Sequence, residues 1–570
     1  MKNALIFSSL AELDSAKKIL DEHDDSALVC RDYRVFNLMR ANSKVEYFYR
    51  ELTGIPETKV NNLFDSWFRD EQGKDAICFE GMSGGALMSG SLRIAISTIL
   101  REWSAFDIIF REYDLVSIPS NMQPLIKRVA LKIGRIHNTK VVEYISESEI
   151  NYSDIGAERH LEWFPSKNVT KMIFKQIRQA FKHSQTKGMI MFVNDWTYAN
   201  LLKELPNGGF ITFNYASLFF CNKDKKRIRL TFDAIEQMLI EWINGPIFID
   251  NMDEYPDEIV DFIGEYIIEL FQKNRPKYEF AALMIEEVLL RAKPALLVIP
   301  GDRYDFNALL LLIAKAKGIK TLLLGDGFGL YLPTLKDDLG KYLFDYYGVY
   351  GDAMNDDLIM AGVNGSQLII LPAVFLGNYL DLPERPGIYQ AIIMTWIPNN
   401  ESPIAQLDHP AKYLTEVIEL LISLGFNSIA VKIKWEPERP YVEDVVSEYI
   451  GRIKVDVLSG TLKENIVLSD LFIGGISSAM AEVKFCGKKY YIYEPLSNGV
   501  SDAVLNKSMF YSKMNTARTI YQLKNNIIND NEALPGEMES CLGLKGRNGK
   551  EFREKSCVAF LKIMECINGK

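Results

Sequence analysis

A short loop around Gly475 has the composition of an anion-binding site. It consists of Gly474, Gly475, Ile476, Ser477 and Ser478, between the apolar run LFI and the helix-like segment AMAEVKFCG. A loop that opens a helix presents backbone N–H groups without helical partners, and glycine lets an anion approach them closely. The serine hydroxyls add donors for phosphate oxygens. The loop is therefore predicted to bind the phosphate of a nucleotide; a serine N-cap without a ligand is the alternative.

Four further polar residues are placed to complete such a site. Glu482 lies on the helix after the loop, where a carboxylate can accept ribose hydroxyls. Lys432 and Lys434 alternate along the predicted strand SIAVKIKW, so both face one side of it and can neutralise a phosphate. Thr395 lies at the end of another predicted strand, YQAIIMTWIP, which ends at Thr395–Pro398. A solvated glutamate and a solvated strand face are the alternatives.

Candidate catalytic residues follow two apolar strands in the middle of the chain. Asp302 and Arg303 come after ALLVIPG, and Asp326 comes after KTLLLG. The carboxyl ends of parallel strands meet at one edge of a sheet, where α/β proteins place their ligands. These residues are therefore predicted to supply a base, a nucleophile or a clamp for an acceptor. Helix capping and a turn are the alternatives, and Asp195 and Asp250 are further candidates of the same kind.

The elements that must position these residues alternate between short apolar runs and amphipathic segments, with Gly, Pro, Ser or Asp at the turns. This alternation is typical of parallel sheets covered by helices, so we predict an α/β protein. Strands are expected at NALIF, ALVC, DLVSIPS, TKVVEYI, MIMFV, FITFNY, PIFID, ALLVI, KTLLL, AIIMT, SIAVKIKW, LFI and KYYIY. The predicted units are an N-terminal α/β unit (1–160), a second α/β unit with the candidate catalytic residues (161–385), the unit with the glycine–serine loop (386–535) and a helical tail (536–570).

Length and charge restrict the class of protein. The chain has 570 residues, of which 48% are hydrophobic and 25% charged, enough for several packed domains. Its formal net charge of −10 argues against a general nucleic-acid-binding protein. The amino terminus lacks the features of a secretion signal, and no stretch reaches the roughly 20 apolar residues of a membrane span. Scattered cysteines without a close pair indicate reduced thiols, so a cytoplasmic protein is expected.

The segment between about 290 and 495 resembles the GT-B glycosyltransferases that make capsules, O-antigens and teichoic acids. The residues that match their donor-loop pattern are Asp470, Gly474, Ser477, Ser478, Glu482, Gly487 and Lys488. Lys489 stands where a proline is usual. Upstream, LLLGDGFG and FDYYGVYGDAMNDDLIMAGVNG are similar to the end of their acceptor domain and to the link that follows it. The resemblance implies a GT-B-like fold, with two or more Rossmann-like parallel-sheet domains facing across a cleft and with helical insertions.

The resemblance also implies an activity, the transfer of a sugar from a nucleotide-sugar donor to a bacterial surface glycan or a lipid-linked acceptor. The paired serines slightly favour a CMP-activated acidic sugar. The His-Pro pair that CMP-sugar and CDP-polyol transferases often carry is absent from the run KIKWEP that begins at Lys432. A CDP-polyol phosphotransferase and a non-catalytic protein that binds nucleotide sugars or polysaccharide are the alternatives. Neither a metal nor a cofactor besides the donor is expected, because backbone amides and basic side chains can stabilise the leaving phosphate.

One basic stretch bears on where the protein acts. Between Ser166 and Gly188 the sequence has lysines and an arginine but no acidic residue. Basic amphipathic helices bind anionic membranes, where lipid-linked acceptors are found. A peripheral contact with the inner face of the plasma membrane is one expectation, and an ordinary solvated helix face is the other.

Overall fold

Parallel sheets organise the protein, for which a computed structural model was obtained. The structure describes residues 2–7, 26–31, 45–49, 67–145, 190–193, 210–213, 225–250, 255–301, 305–325, 341–371, 387–395, 409–434, 436–496 and 514–534, with a few single residues outside these ranges. Within them lie a five-stranded sheet, two six-stranded sheets and a two-stranded hairpin. The strands of the three large sheets pair in parallel, so crossover connections join them.

The first sheet belongs to the amino-terminal part of the chain. Its elements are β1 (Asn3–Phe7), β2 (Ser26–Cys30), β3 (Val45–Tyr47), the hairpin strands β4 (Cys78–Phe79) and β5 (Met82–Ser83), α1 (Gly84–Glu112), β6 (Leu115–Pro119), α2 (Pro124–Ile136) and β7 (Lys140–Tyr144). The strand order is β3-β2-β1-β6-β7. The central strand β1 is buried over its last four residues, as expected of a parallel strand covered on both faces.

The second sheet follows. Its elements are β8 (Ile190–Val193), β9 (Phe210–Phe213), α3 (Lys225–Ile243), α4 (Pro246–Asp250), α5 (Asp257–Ala292), β10 (Leu296–Ile299), α6 (Asp305–Ala316), β11 (Lys320–Leu324), β12 (Tyr346–Tyr350), α7 (Asp352–Met360) and β13 (Leu368–Leu371). The strand order is β13-β12-β11-β10-β8-β9. Helix α6 is buried along its first ten residues, because ALLLLIA places apolar side chains on every side, and the polar Asp305 and Asn307 are buried with them.

The third sheet carries the glycine–serine loop. Its elements are β14 (Ala391–Met394), α8 (His409–Ser423), β15 (Ser428–Lys432), α9 (Arg439–Ser447), β16 (Lys454–Leu458), α10 (Leu462–Asn465), β17 (Leu471–Gly474), α11 (Ala479–Phe485), β18 (Lys489–Tyr493), β19 (Thr516–Ala517) and α12 (Ile520–Ile528). The strand order is β16-β15-β14-β17-β18-β19. Short 3-10 turns lie at Gly365–Gln367, Glu436–Glu438 and Ile466–Leu468.

Buried apolar residues connect the three sheets. One cluster includes side chains from α1, α5, α6, the second sheet and one face of the third sheet. Along β14, Ile392 belongs to this cluster, whereas Ile393 belongs to a separate cluster with α8 on the opposite face. Such alternation follows from the two-residue period of a strand. Helix α1 follows the first sheet's early strands in the chain but packs against α3, α5 and α6 as well as α2.

The predicted α/β architecture with several parallel sheets is confirmed. The strand predicted at PIFID is wrong, because these residues form α4. Pro246 stands at the first helical position, where its missing N–H removes no bond, and Phe248 is buried while Ile249 and Asp250 are exposed. The three large sheets lie within 1–160, 161–385 and 386–535, and the unit boundaries themselves stay predictions.

Two other results concern the membrane prediction. The basic stretch 166–188 lies outside the described residues. Among the helices that the structure describes, none has both the length and the apolar character needed to cross a bilayer.

Candidate functional site

The strand order of the third sheet places the predicted loop at a particular point of the fold. The strands β14 and β17 lie side by side, and the chain then builds the sheet outward in one direction through β15 and β16 and in the other through β18 and β19. In doubly wound α/β sheets, ligands bind beyond the carboxyl ends of the strands at this point of reversal. Those two ends are Met394 and Gly474. The loop and Thr395 therefore lie at the same reversal point.

Thr395 bridges to the loop that follows β15. Its hydroxyl accepts a hydrogen bond from the Lys434 N–H at 2.8 Å and donates one to Glu438 Oε2 at 2.8 Å. Its own N–H donates to the carbonyl of Lys432 at 3.0 Å. The threonine thus fixes the course of the chain beyond β15, next to the point where β14 ends.

Gly474 packs against a tyrosine of the neighbouring strand. A Cβ atom at this position would lie 2.2 Å from Tyr490 Oη and 3.3 Å from Met394 Cβ. The Tyr490 hydroxyl donates to the carbonyl of Gly475 at 2.8 Å. Gly474 therefore permits close packing within the sheet, and the loop begins at Gly475.

The two serines are the last residues of the loop, directly before α11. Both are half-buried. The Ser477 side chain opposes the rise that burial causes in the pKa of Tyr490, while Ser478 occupies the N-cap of α11 without a side-chain capping bond. In the part of the chain that the structure describes, the backbone N–H groups of Ser477 and Ser478 meet no protein acceptor. These groups can therefore donate to a ligand.

The buried carboxylate of Glu494 accepts a hydrogen bond from the backbone of the loop. The N–H of Ile476 donates to Glu494 Oε2 at 2.7 Å, and Glu494 is fully buried just after β18. A hydrogen bond from a backbone amide to a buried carboxylate is of the strong, charge-assisted kind. Tyr490 and Glu494 together make the loop a rigid platform, because both partners come from one strand and its immediate end.

Glu482 and Lys432 lie close enough to influence each other's ionisation. The Tyr379 hydroxyl donates to Glu482 Oε2. Burial raises the pKa of Glu482, and the Tyr379 hydrogen bond and the charge of Lys432 act in the opposite direction. Burial lowers the pKa of Lys432, and the neighbouring carboxylates of Glu438 and Glu482 oppose that shift. The Lys432 ammonium donates to the carbonyl of Ile433 at 2.8 Å.

The two predicted phosphate-neutralising lysines occupy different surroundings. Lys432 ends β15 and is 6% exposed, whereas Lys434 lies beyond the strand and its side chain is exposed. They do not share a strand face, because β15 ends before Lys434. The structure brings Lys432 to the centre of the site and Lys434 to its rim.

Four of the predicted candidates for catalysis follow strands of the second sheet in the sequence. Asp302, Arg303, Asp326 and Asp195 lie outside the described residues. The strands that precede the first three, β10 and β11, are parallel neighbours in the second sheet. Their roles stay predictions. Asp250 ends α4 and is exposed, so it follows no strand.

Sequence reasoning missed four residues of this site, Tyr379, Glu438, Tyr490 and Glu494. Glu494 carries a detectable signal, since it is the first polar residue after the apolar strand YYIY and precedes a proline. No spacing links Tyr379 or Glu438 to the loop, because they approach it from other segments. Within the described ranges, no group of three His, Cys, Asp or Glu side chains is arranged to hold a metal ion.

Comparisons with known proteins give likenesses of fold at low identity. No family model and no curated protein sequence matches the chain. A UDP-GlcNAc 2-epimerase from Neisseria meningitidis, solved with UDP-GlcNAc, matches 68% of this chain and 100% of its own at 11% identity and a TM-score of 0.37. An O-GlcNAc transferase from Thermobaculum terrenum covers 85% of each chain at 10% identity and a TM-score of 0.35. The wall teichoic acid polymerase TagF covers 72% of this chain and 95% of its own, at 10% identity and a TM-score of 0.29. Likenesses this weak carry no argument about activity.

Proposed function

We propose that this protein is a GT-B-like glycosyltransferase that moves a sugar from a nucleotide-sugar donor to a glycan or lipid-linked acceptor. One observation carries the proposal: the loop from Gly475 to Ser478 lies at the reversal point of a β16-β15-β14-β17-β18-β19 sheet, where doubly wound folds bind nucleotides. The rigid support from Tyr490 and Glu494 suits a loop that must present its N–H groups without reorganisation.

The chemistry divides between the third and second sheets. The backbone N–H groups of Ser477 and Ser478 would donate to phosphate oxygens, and Glu482 would accept ribose hydroxyls. Asp302 or Asp326 would take the proton of an acceptor hydroxyl while the oxygen of that hydroxyl bonds to the anomeric carbon of the donor sugar. The bond from that carbon to the phosphate oxygen breaks, and the nucleotide keeps the electron pair. Donors on the loop stabilise the charge that develops there.

Arg303 and Lys432 contribute positive charge in this scheme. Lys432 is buried near the carboxylates of Glu438 and Glu482. Its positive charge therefore partly neutralises these carboxylates and is only partly left to act on a phosphate. Arg303 follows β10 and would act from the acceptor side. The preference for a CMP-linked acidic sugar rests on the paired serines. Which nucleotide the protein binds is therefore the first property to determine.

Nucleotide binding tests the proposal directly. CMP, CDP, UDP and GDP are titrated calorimetrically into the intact protein and into Ser478→Ala, Ser477→Ala and the double variant. We expect one nucleotide to bind and its affinity to fall about tenfold in Ser478→Ala, through loss of a hydroxyl donor. The matched control is Ser447→Ala, at the exposed end of α9. Unchanged affinity in the double variant would refute the loop assignment.

Transfer itself is tested with the donor of the nucleotide that binds. Asp302→Asn or Asp326→Asn is expected to lower kcat by roughly 100-fold while nucleotide affinity is kept, since a general base acts on the acceptor. Full activity in both variants would mean that the catalytic carboxylate lies elsewhere. Binding without turnover of any sugar donor would favour the non-catalytic alternative, and transfer of a polyol phosphate would favour the phosphotransferase.

A further inference from the structure

One residue of the segment between the second and third sheets, Tyr379, contacts the proposed donor site. The segment runs from the end of β13 at Leu371 to the start of β14 at Ala391. Within it, the Tyr379 hydroxyl donates to Glu482 Oε2 on α11, the helix that follows the glycine–serine loop. A residue from outside the third sheet therefore contacts the carboxylate that is proposed to bind ribose.

Apolar packing next to Tyr379 supports this contact. Leu376, three residues before Tyr379, is fully buried in the same apolar cluster as Met480 of α11 and Phe472 of β17. Tyr379 itself is half-buried, and burial raises its pKa, so the phenol keeps the proton that it donates. The tyrosine is thus a fixed donor.

The hydrogen bond uses one of the two carboxylate oxygens. A carboxylate offers about four acceptor positions, and the described residues supply a donor to Oε2. We propose that Tyr379 is a positioning residue of the donor site, which orients Glu482 so that Oε1 accepts a ribose hydroxyl. This inference rests on the proposed function and adds that donor affinity depends on the segment joining the two sheets.

The titratable groups around Glu482 determine how loss of the Tyr379 hydrogen bond changes the pH dependence of nucleotide affinity. Besides Tyr379, the titratable groups that face it are Lys432 at the end of β15 and Tyr490 on β18, with Cys486 one turn along α11 next to Tyr379. Lys432 in turn faces Lys434, Glu438 and Glu464. Burial raises the pKa of Glu482, and the donated hydrogen bond opposes that rise. Loss of the hydroxyl therefore raises this pKa further.

The test is Tyr379→Phe, with nucleotide affinity measured by calorimetry from pH 5 to pH 8. We expect affinity near neutral pH to fall about threefold to tenfold, and the acidic limb of the affinity profile to move to higher pH. Glu482→Gln is expected to remove that limb. The matched control is Tyr389→Phe, which deletes a phenol hydroxyl bonded to Asp456 elsewhere on the same sheet; its profile should coincide with that of the unmodified protein.

The outcomes distinguish failure of this inference from failure of the proposed function. If the unmodified protein binds none of the nucleotides, both are overturned. If it binds one and Tyr379→Phe has the same affinity and profile, the inference is overturned and the proposed function stands. Tighter binding in Tyr379→Phe would mean that the hydroxyl competes with ribose, which also overturns positioning. An equal loss at every pH, with a lower Tm, would show a structural role instead.

Discussion

At Gly474 the approach of two strands leaves no room for a methyl group. A Cβ atom there would lie 2.2 Å from Tyr490 Oη, at a position where Gly474 pairs with Ile492 of β18. We expect Gly474→Ala to lower the free energy of unfolding by about 1–3 kcal/mol, because the tyrosine must move and its bond to the Gly475 carbonyl is strained. Urea denaturation measures this.

Two further variants show whether the hydroxyl is the cause. Gly365→Ala adds a methyl group where no atom lies within 4 Å and should change stability little. In a Tyr490→Phe background the cost of Gly474→Ala should shrink, since the obstructing oxygen is gone. Equal costs in both backgrounds would show that the obstruction lies elsewhere.

At the scale of elements, Asp345, the residue before β12, is hydrogen-bonded to the start of β11. It accepts hydrogen bonds from the N–H of Thr321 at 2.9 Å and from its hydroxyl at 3.0 Å. Burial acts to raise the pKa of Asp345, but the charge of Lys315 and the bonds from Thr321 and Lys320 outweigh it, so the pKa lies below its ordinary value.

The sign of the pH dependence follows from that lowered pKa. The stabilisation is present above the unfolded-state pKa of about 3.9 and is lost as the pH falls through the folded-state value. Asp345→Asn should therefore cost about 1–2 kcal/mol at pH 7, and the difference from the unmodified protein should shrink below about pH 4. Denaturation at several pH values checks this, with exposed Asp250→Asn as control. A difference that persists unchanged at pH 3 would contradict it.

Elements differ in how well the sequence predicts them. A strand such as β10, LLVI, is buried on both faces and reads as a continuous apolar run. The equally apolar PIFID is a helix, since a run of five residues has no period that distinguishes the two structures. Strand order was beyond prediction, because β14 and β17 are neighbours in space and distant in sequence.

The candidate site shows the same division. The glycine–serine loop could be predicted because its residues are contiguous and follow an apolar strand. Its position at the reversal point depends on strand order, and its contact with Tyr379 depends on a segment with no sequence relation to it. Local chemistry was therefore predictable, and the partners brought by tertiary structure were not.

At the scale of the whole molecule, one buried carboxylate joins helices of the first two sheets. Asp305, at the start of α6, accepts from the Tyr278 hydroxyl of α5 at 2.6 Å and from the Ser91 N–H of α1 at 3.1 Å. Burial raises the pKa of Asp305, with the two donors opposing it. The native state thus keeps a proton at a pH where the unfolded chain has lost it.

This arrangement predicts the opposite pH dependence from Asp345. A raised folded-state pKa makes the contribution of Asp305 less favourable as the pH rises from about 4 to that raised value. The stability of Asp305→Asn relative to the unmodified protein should therefore improve over this range in urea denaturation. Tyr278→Phe, which removes a donor to the carboxylate, raises the pKa of Asp305 further and should extend the decline to higher pH. A pH-independent difference in both variants would exclude ionisation of Asp305 as the cause.

The packing of helix α1 determines whether the amino-terminal unit can be produced as a separate fragment. This helix is encoded between the third and fourth strands of the first sheet, yet it is buried against α5 and α6, which belong to the second. A fragment of residues 1–160 would carry this helix with its apolar side in water, and we expect it to be insoluble alone. Produced together with residues 161–570, the same fragment should become soluble by complementation, as two cleaved halves of one folding unit do.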